Sequence, residues 1–408
     1  AVHYARLVRQ KAAIRSLIHA AGEILHDAFT NAESADDVLE AAEQRIYQIA
    51  QQAEQTHAQS MDQLVIEVLR VIEDHDGSLI TGVPSGFCDL DEMTQGLQPG
   101  ELLILAARPS MGKTAFVLNL AEHMAMANYP VVVFSLEMGR HQLVQRLLSA
   151  RSGVDSQKIR RGMLNREDWQ RLRKACSELH DSPIFIDDTP GLSLMQMRAK
   201  ARRLCSRHGI KAIVIDYLQL MSSGRRVESR QVEIGEISRG IKAMARELSI
   251  PVICLSQLNR AAEQREGHRP RMSDLRESGS IEQDADVVMM LHREEYYHQS
   301  DPEWKLHNPD RVGVAELIIA KQRNGPTGTV YLTWVSEITR FRDHAPGGGY
   351  DGQSYGGDGS AYGAGAPEAT DWAAPGKYAE NFRPKSATGP VDDFRDGGGP
   401  PDDDEIPI

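Results

Sequence analysis

Gly112–Lys113–Thr114 follows the apolar run Leu102–Ala106 after the short segment Ala107–Arg108–Pro109–Ser110–Met111. A strand, a tight loop and Gly-Lys-Thr opening a helix let successive backbone N–H groups surround an anion. In such a loop the N–H groups of Ser110, Met111 and Gly112 cradle nucleotide phosphates, the Lys113 ammonium reaches the β- and γ-phosphates, and the Thr114 hydroxyl ligates Mg²⁺. The pattern G-x-x-x-x-G-K-[ST] is incomplete, since Ala107 stands where its first glycine is expected.

Roughly 100 residues downstream, Ala212–Ile215 is a second apolar run and ends in Asp216. A carboxylate at the end of a buried strand needs a partner, and Mg²⁺ held by phosphates is one. Glu137 follows the strand candidate Val131–Ser135, which brings its carboxylate to the edge of the sheet where it could polarise a water. A plain surface glutamate starting the next helix is the alternative. Gln257, just beyond Val252–Leu255, could sense a γ-phosphate in the same cleft. Lys321 and Arg323 end another strand and precede Gly325–Pro326; they read either as cations supplied to a neighbouring subunit's phosphoryl transfer or as a solvated basic turn. Two polar loops could touch nucleic acid through its backbone: Ser222–Arg230, with Arg225, Arg226 and Arg230, and Asp274–Gly279, with Arg276, Glu277 and Gly279. Neither interleaves aromatic residues, so base stacking is not the expected mode, and a solvated loop is the alternative for both.

These residues need a frame. From Phe87 to Arg342 short apolar runs alternate with helical segments, the form of a parallel sheet wrapped by helices. Strands are expected at Leu102–Ala106, Val131–Ser135, Ile184–Ile186, Ala212–Ile215, Val252–Leu255, Val287–Leu291, Val314–Ala320 and Thr329–Val335, and helices at Thr114–Met126, His141–Ser152 and Gln231–Leu248. Residues 1–56 are rich in Ala, Glu, Gln and Arg and predict two or three helices. Met61–Glu73 predicts an amphipathic helix with Leu64, Val68 and Ile72 on one face and Val65 and Leu69 beside them. Gly77–Gly86 reads as a linker or turn-rich boundary.

The chain has 408 residues, and no apolar run approaches the ~20 residues of a membrane span. It opens on Ala1, without an initiator Met or a signal core, which reads as a fragment or processed end of a cytoplasmic protein. Cys88, Cys176, Cys205 and Cys254 show no metal-ligand spacing and are expected to be buried thiols in a reducing cytosol. The net charge of −12 would oppose a nucleic-acid partner if it were evenly spread. Residues 345–408, however, carry 12 acidic and 4 basic groups, a net of −8, which leaves −4 for the rest. That stretch also holds 14 of the 34 glycines and 8 of the 19 prolines, a composition expected to be disordered.

The motifs Ala107–Thr114, Ser135–Leu136–Glu137–Met138, Asp216–Tyr217–Leu218–Gln219–Leu220, Leu255–Ser256–Gln257–Leu258–Asn259–Arg260, Asp274–Asp286 and Lys321–Gly325 stand in the order seen in bacterial replicative helicases of the DnaB family, which the chain resembles from about residue 1 to Arg342. That family commonly carries Ala at the position of Ala107. The resemblance implies an α/β RecA-like P-loop motor, assembled as a homohexameric ring, that uses ATP and Mg²⁺ to move 5′ to 3′ on single-stranded DNA and open forked duplex. It makes Lys113 and Thr114 the phosphate and Mg²⁺ ligands, Asp216 the second-motif carboxylate, Glu137 the catalytic base and Gln257 the γ-phosphate sensor. Lys321 and Arg323 become the pair inserted into a neighbour's site, and Arg276, Glu277 and Gly279 the inner-loop contacts to DNA.

The implied organisation is a helical remnant of an N-terminal domain at 1–56, a linker helix and hinge at 57–80, the RecA-like domain at 81–343 and a disordered Gly-rich acidic tail at 344–408. Primase and a helicase loader are partners of the full-length family. The end Asp402–Asp403–Asp404–Glu405–Ile406–Pro407–Ile408 is similar to the tail of bacterial single-stranded-DNA-binding proteins, which implies replication partners that read such tails; a solubilising tail is the alternative. A filament-forming RecA-type ATPase and a non-enzymatic ATP-gated scaffold remain as other readings of the same fold.

Overall fold

The computed structural model describes residues 2–30, 38, 42, 45–46, 61–73, 80–222, 229–265 and 267–344. The acidic tail, residues 47–60 and the loop holding Arg225 and Arg226 lie outside the described residues. Helix α1 spans Val2–Thr30, and α2 spans Met61–Glu73, the bounds its apolar spacing predicts. The side chains of Leu64, Val65, Val68 and Leu69 on α2 are exposed.

The described sheet has nine strands: β1 (Leu102–Ala107), β2 (Val131–Ser135), β3 (Ile184–Asp187), β4 (Ala212–Asp216), β5 (Val252–Gln257), β6 (Val287–His292), β7 (Val314–Gln322), β8 (Gly328–Val335) and β9 (Arg340–Asp343). Their order is β3-β2-β4-β5-β1-β6-β7-β8-β9. Pairing is parallel from β3 through β6, while β7, β8 and β9 continue as an antiparallel meander. The sheet is therefore parallel-rich, as expected, with an antiparallel edge. The connections from β7 to β8 and from β8 to β9 are too short for a crossover helix, so these strands must fold back.

All six residues of β1 are buried, because helices cover both faces of a central parallel strand. Leu103, Leu105 and Ala107 face a layer holding Phe116, Leu120 and Met124 of α4, with α3 (Cys88–Thr94) nearby and α4 spanning Lys113–Met126. Leu102, Ile104 and Ala106 face Ile237, Ile241 and Met244. Each fully buried side chain of this size contributes about 1.5–3 kcal/mol relative to exposure, so the central strands fix the frame. Between β2 and β3 lie α5 (Arg140–Ser152), α6 (Ser156–Arg161) and α7 (Arg166–His180). Helix α8 (Leu194–His208) starts at a Ser193/Gln196 capping box and stops at Gly209, whose φ is 64°. Helices α9 (Arg230–Leu248) and α10 (Gly279–Asp284) precede β5 and β6, and α11 (Pro302–His307) lies between β6 and β7.

One alternative is decided and one expectation changes. Residues 81–86 are the turn-rich edge of the domain rather than a linker: Val83 pairs with Leu97, and the buried Asp91 carboxylate accepts the backbone N–H of Ser85 at 2.8 Å and of Gly86 at 3.1 Å. The cysteines are not uniformly buried: Cys254 lies in β5, but Cys88 and Cys176 are exposed and Cys205 is intermediate, because Cys88 opens a surface helix and Cys176 lies on the outer side of α7.

Candidate active site

Strand β1 delivers the chain to its carboxyl edge at Ala107, and the next five residues turn back before α4. The turn needs positive φ twice, 67° at Ser110 and 103° at Gly112. At Gly112 glycine is required for two reasons. L side chains rarely adopt this φ, and a Cβ there would stand 3.0 Å from Phe341 Cζ. Phe341 stacks edge-on against Phe116 of α4 and contacts Trp334 of β8, so the antiparallel half of the sheet braces the loop from below.

The two motifs predicted to meet do meet. The Thr114 hydroxyl donates to Asp216 Oδ2 at 2.8 Å, joining the start of α4 to the end of β4. The Lys113 ammonium donates to the Ser256 carbonyl at 3.0 Å and lies 5.6 Å from the centre of the Tyr217 ring. Burial pulls Lys113 down to about 8, while the charges of Asp216 and Glu137 oppose the shift. Burial likewise holds the Asp216 carboxyl above its usual range against the hydrogen bond from Thr114, and Glu137 adds to the rise. A carboxylate and a hydroxyl this close, with the carboxylate nearly dry, suit a hard cation that takes its other ligands from phosphates and water.

Glu137 is exposed on a turn that the Ser135 side chain closes, donating to the Met138 carbonyl at 2.7 Å. The Leu136 N–H donates to the Asp216 carbonyl at 2.7 Å, which fixes that turn beside β4. Gln257 ends β5 in register with Ala107 and is also exposed. The carboxyl edge therefore gathers Lys113, Thr114, Glu137, Asp216 and Gln257 around the phosphate loop.

Lys321 and Arg323 do not join them. Their strand is antiparallel to β6, with Lys321 beside Val288, so the pair emerges at the opposite edge of the sheet. Five residues of strand at ~3.3 Å each separate the two ends of β1, about 17 Å in all. There the Lys321 ammonium donates to the carbonyls of Glu282 at 2.6 Å and Ala285 at 2.7 Å, and Arg323 Nε stands 3.7 Å from Asp286 Oδ1.

Of the loop residues, Arg276 and Glu277 lie in a 3-10 segment, Met272–Ser278, and Gly279 starts α10. A Cβ on Gly279 would meet nothing within 4 Å. Arg230 opens α9 and is exposed; its guanidinium donates to the carbonyls of Gln219 at 2.5 Å and Met221 at 3.1 Å and pairs with Glu233.

Sequence reading missed two arginines. Arg146 on α5 is half-buried, and the charges of Asp216 and Glu137 act on it against the downward pull of burial. Arg293 follows β6 at the same edge; it is buried, its Nε has no hydrogen-bond partner among the described residues, and its guanidinium lies 4.9 Å from the Trp334 ring centre. Each is a single arginine in an ordinary polar context, and only the sheet order brings it to the loop.

The family model of the DnaB-like helicase C terminal domain matches residues 82–343. The chain belongs to the DnaB family of replicative DNA helicases. It is 46% identical over 344 residues to the replicative DNA helicase DnaB of Geobacillus stearothermophilus, covering 83% of this chain and 74% of that one. It is 47% identical, with the same coverage, to the replicative DNA helicase DnaC of Bacillus subtilis (strain 168). A solved DnaB-like replicative helicase, described with its interactions with primase, superposes with a TM-score of 0.71 at 37% identity, covering 83% of this chain and 78% of that one. A second solved structure, an ATPase domain, superposes with a TM-score of 0.65 at 41% identity, covering 71% of this chain and all of that one. The fold is the RecA-like ATPase domain of these helicases, and the DnaB-family chain is an ATP-dependent enzyme. Among the described residues no helix is long and apolar enough to cross a membrane.

Proposed function

We propose that this DnaB-family helicase works as a ring of six that hydrolyses ATP between subunits, moves 5′ to 3′ on single-stranded DNA and opens forked duplex. The observation that carries the reading is the division of the sheet. The phosphate loop occupies one edge; Arg323, just past β7, is level with the start of β1, about 17 Å away, and Lys321, level with Ile104, is about 10 Å away with its ammonium held by the Glu282 and Ala285 carbonyls. They cannot reach their own subunit's nucleotide. A head-to-tail ring puts them against the neighbour's γ-phosphate, where a guanidinium contributes on the order of 10³–10⁵ in rate.

Within one subunit the N–H groups of Ser110, Met111 and Gly112 and the Lys113 ammonium hold the phosphates. Thr114 and Asp216 would hold Mg²⁺, which neutralises charge on the β- and γ-oxygens when bound. Glu137 orients and deprotonates the attacking water, and Gln257 reads the γ-phosphate. Since Asp216 and Glu137 place the reacting end beside β4 and β2, the nucleoside leaves the loop on the β6 side. Arg293 and Trp334 stand there packed on each other, and Arg293 Nε, which has no hydrogen-bond partner among the described residues, offers a donor to the nucleoside.

The Arg276–Gly279 segment, with Arg225 and Arg226, contacts the DNA backbone, while Arg230 braces the loop through Gln219 and Met221. The domain division 1–56, 57–80, 81–343 and 344–408 follows from this reading, with α2 as the linker helix between neighbours. Primase and a loader are the partners expected of the assembled ring, and the acidic tail offers a site to replication proteins that read such ends. Deleting Asp402–Ile408 should weaken their binding; unchanged binding would remove that role.

The test is strand separation on a forked duplex with ATP and Mg²⁺. The wild-type protein should displace the strand when a 5′ tail is present, and Lys113→Ala should abolish displacement while keeping the native circular-dichroism spectrum. ATP hydrolysis without strand separation would overturn the reading.

A further inference from the structure

Two buried charged side chains connect the phosphate loop to the segment that carries Arg276. Leu258, the residue after Gln257, is held at both ends: its N–H donates to the Ala107 carbonyl at 3.2 Å, and its carbonyl accepts from Arg108 Nη1 at 2.6 Å. Arg108, 9% exposed, also pairs through Nε with Glu263 Oε1 at 2.8 Å. The next residue, Asn259, donates its N–H to the Asp274 carbonyl at 3.0 Å. The Asp274 carboxylate, 3% exposed, accepts the Arg271 N–H at 2.7 Å and pairs with Arg265. It thereby closes the start of the 3-10 segment Met272–Ser278, in which Arg276 is two residues further on.

We propose that Arg108 and Asp274 are positioning residues that tie the placement of the Arg276–Gly279 segment to the state of the phosphate loop. The proposal rests on the reading that this segment contacts DNA and that Gln257 faces the γ-phosphate. Its physical content is the lack of slack. Leu258 cannot rotate independently while both its N–H and its carbonyl are bound to the loop residues Ala107 and Arg108, so a displacement of the loop or of Gln257 reaches Asn259 with little loss. Asn259 is hydrogen-bonded to the main chain of Asp274, and the Asp274 side chain fixes that segment as a unit. Leu258 and Leu275 are themselves buried in the layer beneath, which denies both segments a sideways escape. Coupling of this kind is a ratio of affinities between two states and acts reciprocally on DNA and nucleotide.

The experiment uses the full chain and a fluorescent oligo-dT. Its dissociation constant is measured with a non-hydrolysable ATP analogue and again with ADP, alongside KM for ATP. In the wild type the two constants should differ by about 5-fold or more, the usual lower range of allosteric coupling. Asp274→Asn, which keeps the shape but drops the charge, should bring the ratio to within about 2-fold of one with KM for ATP little changed. Glu263→Gln, a change at a partly exposed carboxylate that the fold tolerates, should move the ratio in the same direction. Arg108→Lys should restore part of what Arg108→Gln loses. A merely structural role would weaken DNA binding equally in both nucleotide states, and that result overturns the proposal. So does a wild-type ratio in Glu263→Gln and Asp274→Asn together. Absence of any nucleotide dependence in the wild type would instead fall on the DNA-contact reading and take the proposal with it.

Discussion

Raising the pH should weaken ATP binding through Lys113 alone. Its ammonium is buried between the phosphate loop and β5, and desolvation pulls it to about 8 although Asp216 and Glu137 favour the charged form. In the free protein the charged fraction is then about ten-elevenths at pH 7 and one-eleventh at pH 9. Bound phosphates would restore the proton, so apparent affinity should fall about tenfold between those two values. At pH 8 binding should take up about half a proton. Titration calorimetry in buffers of different ionisation enthalpy reads that uptake directly. Lys113→Arg supplies the control, because a guanidinium stays charged throughout and its residual affinity should be flat over the window. The sign also works in the free protein. The unfolded chain holds the proton up to 10.5, so this site's contribution to stability improves as pH rises from about 8. An affinity independent of pH in the wild type, or equally dependent in Lys113→Arg, would refute the burial argument.

Three other perturbations have worked outcomes. Gly112→Ala puts a Cβ 3.0 Å from Phe341 Cζ at a φ of 103°. It should cost about 1–3 kcal/mol in denaturant unfolding and raise KM for ATP. His123 and His292 are both held near 4 by burial, so their contribution is intact above about 6.5 and is lost as pH falls towards 4, up to about 3 kcal/mol each; the urea midpoint followed over that window checks it. Arg293→Ala should raise KM for ATP several-fold with a smaller change in kcat, and equal losses in both would place Arg293 outside the nucleoside subsite.

The motor core was legible where a local pattern and a tertiary role coincide. The apolar run Leu102–Ala106 read as a buried strand and Gly112–Lys113–Thr114 after it as the start of a helix, and the structure has both. Asp216 was readable because a carboxylate closing a buried strand demands a partner, and the structure supplies Thr114. What stayed hidden depends on contacts between distant segments. Helix α7 carries only a narrow apolar stripe, Trp169, Leu172, Cys176 and Leu179, in a highly charged stretch and was not picked out, and β9 is four residues of mostly polar type. The antiparallel pairing of β7 with β6 left no separate mark, since Val314–Ala320 reads the same in either direction and the connection before it is long enough for a crossover. Arg146, Arg293 and the Arg108–Asp274 linkage gain meaning only from the order of the strands.

The most direct measurement mixes two inactive variants. Lys113→Ala destroys a subunit's phosphate loop, and Arg323→Ala removes the guanidinium that subunit gives its neighbour. Each alone should hydrolyse ATP at a rate lower by a factor on the order of 10³ or more. In rings assembled from equal parts of both, about a quarter of the interfaces pair an intact loop with an intact arginine, so DNA-dependent hydrolysis should reappear at up to that fraction of the wild-type rate. A mixture no more active than its components would contradict the shared site.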